Sequence, residues 1–103
     1  MLRIDIPEKD LALFCQRWKV VELALFGSVL RADFGQDSDV DVLVTFTPGA
    51  RWSLFDLVKM EAELEHLIGR KVDLVEKQAL MDSPNYLRRN YILRGAEVIY
   101  AAG

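Results

Sequence analysis

Three aspartates and a Gly-Ser pair are the residues of this chain whose types and spacing could do chemistry. Asp39, Asp41 and Asp73 are acids set within or beside apolar runs, and Gly27-Ser28 closes another such run. From Asp39 to Phe46 the residues alternate: Val40, Val42, Val44 and Phe46 fall on one strand face, and Asp39, Asp41, Leu43 and Thr45 on the other. At a rise of about 3.3 Å per residue, the Cβ atoms of Asp39 and Asp41 sit roughly 6 to 7 Å apart, close enough to share one cation or bracket two. Like charges at that spacing repel unless a cation lies between them. The plainer reading, two acids at a surface strand entrance, weakens once Asp73 is added. Lys71-Val72-Asp73-Leu74-Val75 is a second apolar strand with a carboxylate in its middle, where aspartate is disfavoured. If the two strands are neighbours, three carboxylates converge on one sheet face. That donor set suits Mg²⁺, a hard cation that takes oxygen ligands and leaves positions for substrate phosphates.

The elements that must position these groups can be read around them. Val20 to Phe26 is a buried strand running into a turn at Gly27, where the backbone can approach a phosphate. Ser28 then opens a short helical segment whose N–H groups, with the serine hydroxyl, can cradle phosphate oxygens. A Gly-Ser pair alone would be an ordinary turn. Pro7 suits the first turn of a helix running to about Trp18. Pro48-Gly49 breaks the chain after the Asp39 strand. Ser53 with Asp56 three residues on is a capping-box pattern, and Leu54, Leu57, Val58, Leu64, Leu67 and Ile68 supply a helical apolar stripe ending at Gly69. Ser83-Pro84 begins a last helix stopped by Gly95, and Val98-Ile99-Tyr100 adds an edge strand. The sum is an α/β domain, a mixed sheet with helices packed on one face and the acidic face left to substrate.

The run from Gly27-Ser28 through Arg31 to Ser38-Asp39-Val40-Asp41-Val42-Leu43-Val44 resembles the signature of the DNA polymerase beta-like nucleotidyltransferase superfamily. Asp73 lies where that family has its third acid. The short chain, with no appended substrate domain, is most similar to the minimal nucleotidyltransferases, or MNT proteins. Val29 and Leu30 are apolar where relatives often carry arginine or small residues. The resemblance implies Mg²⁺ held by Asp39, Asp41 and Asp73, ATP as donor, phosphates held by Gly27 and Ser28, and transfer of AMP to a hydroxyl. For MNT antitoxins it further implies a HEPN-type ribonuclease toxin as partner, with a tyrosine as acceptor. Transfer to a small hydroxyl compound, or masking of the partner by contact alone, are the alternatives. Clustered, repelling carboxylates speak against a purely binding role.

Composition bounds the rest. At 103 residues the chain is too short for two cores but long enough to bury about two-thirds of its unfolded surface, so one domain spanning 1–103 is expected. A formal charge of −3 provides no basic footprint for tight nucleic-acid binding. No apolar run near 20 residues and no charged-then-apolar leader is visible, so no membrane span is expected and a cytoplasmic location is the default. Cys15 falls with Leu11, Phe14 and Trp18 at helical spacing and reads as packing, not as a nucleophile. His66 reads as a helix-end surface residue. Arg31 could neutralise phosphate or be a solvated side chain. Arg88, Arg89 and Arg94 form a basic cluster that could be a solvated helix face or could meet nucleotide or an acidic partner. Trp52 reads as a loop anchor.

Overall fold

The computed structural model describes residues 6–30 and 39–102. Helix α1 (Glu8–Arg17) begins after Pro7, whose fixed φ starts the helix, and buries Leu11, Phe14 and Cys15 on one stripe. Lys19 adopts a left-handed φ of 58°, and its carbonyl accepts both the Thr47 N–H (2.8 Å) and the Thr47 hydroxyl (3.1 Å). Those bonds hold the junction to strand β1 (Val20–Phe26), which leads into a 3-10 turn (Gly27–Leu30). Strand β2 (Val40–Phe46) returns antiparallel to β1, with Phe26 opposite Asp41.

Helix α2 (Leu54–Ile68) is bounded at both ends by local chemistry. Ser53 accepts from the Asp56 N–H (3.1 Å) while the Asp56 carboxylate accepts from the Ser53 N–H (2.9 Å), and Gly69 ends the helix in the left-handed region. This helix is the crossover that lets β3 (Val72–Glu76) lie parallel to β2. Helices α3 (Lys77–Met81) and α4 (Tyr86–Gly95) follow, and β4 (Glu97–Ala101) pairs antiparallel with β1. The sheet order is β3-β2-β1-β4.

The larger core lies between the sheet and α1 with α2. Leu23, Leu25, Val40, Val42 and Val44 meet Phe14, Met60 and Leu64 there. Each side chain fully removed from water contributes about 1.5–3 kcal/mol. Trp52 anchors its loop against this layer, edge-on to Trp18 (ring centroids 5.1 Å apart) and Phe46 (6.3 Å).

Two details depart from the sequence expectation of one apolar stripe through Leu54 and Val58 and of helices on one sheet face. The α2 stripe runs through Met60, Leu64 and Ile68, whereas Leu54 and Val58 are exposed. The sheet's second face also carries helices: α3 and α4 bring Leu80 and Ile92 onto Ala24, Phe26 and Leu43, so the acidic face is shielded on the β1 side. Helix α3 was not apparent in the sequence because its five residues span little more than one turn. No described helix is long and apolar enough to cross a membrane.

Burial pushes the Cys15 thiol up to about 12. Its folded pKa therefore lies above the unfolded value, so its stabilising effect is complete below about pH 8.5 and lost as pH rises toward 12. Cys15 is expected to resist thiol reagents in the native protein and to react on unfolding, and Cys15→Ala should flatten the alkaline stability loss measured by urea titration.

Candidate active site

The carboxylates are carried by two adjacent strands. Asp41 is in β2 and Asp73 in β3, and the parallel register places them directly opposite one another, with Val40 opposite Val72 and Val42 opposite Leu74. Neighbouring strands are about 4.8 Å apart, closer than two residues along one strand. Alternation then turns Val40, Val42 and Val72 into the larger core and both aspartates away from it. Asp73 is exposed and Asp41 half-buried. Asp39, also exposed, immediately precedes β2, and the Val40 N–H donates to the Lys71 carbonyl (2.8 Å), so the two strands already pair at their entrance.

Gly27 is brought to the same point from the other side of β2. Its φ is +77°, a left-handed conformation, and a Cβ built there would lie 2.3 Å from Asp41 Oδ2 and 3.3 Å from its Cγ. Two constraints thus require glycine at this turn: the backbone conformation, and the space occupied by the Asp41 carboxylate. Ser28 lies in the turn, but its side chain and Arg31 fall outside the described residues.

The donor set is entirely oxygen, which fits a hard divalent cation. Among the described residues no three acidic, histidine or cysteine side chains are gathered closely enough to enclose an ion, and the Asp41–Asp73 pair is the nucleus of the candidate site. His66 is exposed on the last turn of α2, away from the acids in sequence and on the opposite sheet face.

Two positioning residues were not singled out in the sequence. Glu65 accepts from the Val72 N–H (3.0 Å) and Glu61 from the Leu74 N–H (3.1 Å), so carboxylates one helical turn apart on α2 satisfy the outer edge of β3 on either side of Asp73. Their i, i+4 spacing was legible, but charged residues on a helix are ordinarily solvated, and only the packing of α2 beside β3 shows what they meet.

A family model for the nucleotidyltransferase domain matches residues 9–95. The chain belongs to that family. Among sequence relatives, protein adenylyltransferase MntA of Thermococcus cleftensis is 43% identical over 65 residues, covering 63% of this chain and 64% of that protein. A Methanocaldococcus jannaschii protein assigned as a protein adenylyltransferase is 32% identical over 76 residues, covering 74% of this nucleotidyltransferase chain and 76% of the relative. A solved structure assigned as a minimal nucleotidyltransferase superposes with a TM-score of 0.65 at 38% identity, over 86% of this chain and 84% of that one. A toxin–antitoxin structure solved with AMP-PNP superposes at 0.69 and 17% identity, over 94% of this chain and 75% of that one, a likeness of fold.

For this nucleotidyltransferase domain, Gly27→Ala is expected to weaken Mn²⁺ binding, read by electron paramagnetic resonance, by about tenfold or more through displacement of Asp41. The left-handed backbone adds a stability loss of about 1–2 kcal/mol. Glu61→Ala combined with Glu65→Ala should lower stability by about 2 kcal/mol, because two edge N–H groups lose charged acceptors. Hydrogen exchange would then accelerate in β3 more than in β1.

Proposed function

We propose that this chain is the antitoxin of a HEPN/MNT pair, transferring AMP from ATP to a hydroxyl of a HEPN-type ribonuclease toxin, with a tyrosine as the acceptor. The observation that carries the reading is the opposition of Asp41 and Asp73 on parallel strands with the Gly27 turn pressed against Asp41. Kinship with protein adenylyltransferases supports the reaction type, and the likeness of fold to toxin–antitoxin structures supports the kind of partner.

Asp39, Asp41 and Asp73 would hold Mg²⁺, which supplies charge neutralisation on the triphosphate and lowers the pKa of a bound hydroxyl. Gly27 and Ser28 hold the phosphates beyond the reacting one. Asp73, exposed in β3, accepts the proton of the acceptor hydroxyl as the hydroxyl oxygen forms a bond to the α-phosphorus. The bond from the α-phosphorus to the bridging oxygen breaks in line, and pyrophosphate leaves with that oxygen. AMP ends on the acceptor. Esterified to AMP, the tyrosine oxygen has no proton to donate or lose and carries an anionic phosphodiester in its place, which explains how such a modification would silence a site that depends on it.

The test is intact-mass analysis of the HEPN-type partner after incubation with this chain, ATP and Mg²⁺. A gain of one or more AMP units is expected. With Asp39→Asn and Asp41→Asn combined, transfer should fall on the order of a thousandfold or more, since several kcal/mol of transition-state charge stabilisation is lost. A stable complex without any mass gain would sink modification of the partner and favour neutralisation by contact, with a small hydroxyl compound as the remaining enzymatic acceptor.

A further inference from the structure

Helix α4 presents a surface that the candidate site does not use. Its inner row, Arg89, Ile92 and Leu93, faces the protein: Ile92 joins the buried cluster of Ala24, Phe26, Leu43 and Leu80, Leu93 packs against that cluster, and Arg89 donates to the carbonyls of Met81 (3.2 Å) and Ser83 (3.1 Å), fixing the α3–α4 junction. Arg89 is therefore a structural cation. The outer row is different. Leu87, Tyr91 and Arg94 follow one another at i, i+4 and i+7, flanked by Tyr86 and Arg88, and Tyr86, Leu87 and Tyr91 are 58%, 69% and 60% exposed. Among the described residues the guanidinium groups of Arg88 and Arg94 make no ion pair. The helix carries no acid at all, in a chain whose net charge is −3.

Exposed tyrosine and arginine around an aliphatic centre is the composition of a protein-binding hot spot rather than of a solvated helix face. The position is as informative as the composition. Phe26, which shares a buried cluster with Ile92, is the register partner of Asp41, so α4 packs on the sheet face that carries the acids. A partner seated on the outer row would lie on the same side of the sheet as Asp41 and Asp73.

Resting on the adenylyl-transfer reading above, we propose that the outer face of α4 is the docking surface for the acceptor protein, engaging an acidic rim around an apolar centre. Arg88 and Arg94, which make no ion pair among the described residues, supply the charge complementarity, and Leu87 with Tyr91 fills the centre. A phosphate backbone is the poorer match: an aliphatic leucine heads the row, and the protein as a whole repels polyanions.

The experiment measures binding of a HEPN-type partner protein, by biolayer interferometry without ATP, for wild type, R88E/R94E, Leu87→Asp and D39N/D41N. Circular dichroism melting verifies that each variant is folded. R88E/R94E and Leu87→Asp are each expected to weaken binding by about tenfold or more, with R88E/R94E also reducing the dependence on salt. ATP affinity should be unchanged in both, and D39N/D41N should bind the partner like wild type. Affinities within twofold of wild type for the α4 variants would overturn the docking surface. So would a loss of ATP affinity in R88E/R94E, which would place the helix in the nucleotide site, or R88E/R94E-sensitive binding of a 20-nucleotide oligouridylate with partner binding intact. Wild-type dimers by light scattering that Leu87→Asp dissociates would assign the face to a second copy and overturn it too. Because binding is read without ATP, docking can succeed while AMP transfer fails, or the reverse.

Discussion

The parallel register between β2 and β3 is the constraint on which the site depends. It sets Asp41 opposite Asp73, and a slip of one residue would turn one of the two into the core between sheet and helices. Nothing favourable between the two acids holds this register, since like charges on paired strands repel. It is held by their neighbours. Val40, Val42 and Val72 are buried on the opposite face, and transferring them to water in exchange for an aspartate would cost several kcal/mol. Apolar burial on one face thus fixes an electrostatically unfavourable arrangement on the other.

Helix α2 makes that register possible and then reinforces it. A parallel pair needs a crossover, and this one has a capping box at its start, a left-handed glycine at its end, and Met60, Leu64 and Ile68 facing the sheet. Glu61 and Glu65 add a second restraint by accepting the outward N–H groups of β3. An edge strand with open N–H groups invites pairing with another chain. Here those donors are occupied, which protects the edge and holds Asp73 between two fixed residues.

The two sheet faces divide the labour. The α1/α2 face is apolar and closed, with Cys15 so buried that its thiol has no use as a nucleophile. The other face carries a smaller cluster around Phe26 and Leu80 on one side and the acids on the other. The Gly27 turn joins these regions, because it follows Phe26 directly and touches the Asp41 carboxylate. The acids, the turn and helix α4 therefore share one side of the sheet.

Much of this was legible in the sequence, for local reasons. The alternation from Val40 to Phe46 assigned strand and face; the apolar run before Gly27 assigned β1 and its turn; Ser53, Asp56 and Gly69 marked both ends of α2; and Leu11, Phe14 and Cys15 defined the buried stripe of α1. These are features of period and capping, which act over a few residues. What the tertiary structure decided was which strands are neighbours and which side chains meet across the fold. Only the register made Asp41 and Asp73 a pair, and only packing showed that Gly27 abuts a carboxylate, that Glu61 and Glu65 serve β3, and that Leu54 and Val58 lie outside the core. Helix α4, with polar and apolar residues on all sides, had no periodic signal to orient it, so its inner and outer rows became distinguishable only from the packing of Ile92 and Leu93 in the cluster around Phe26 and Leu80. Residues close in sequence announce themselves through helix and strand periodicity, whereas pairings between distant segments depend on how whole elements bury their apolar faces together.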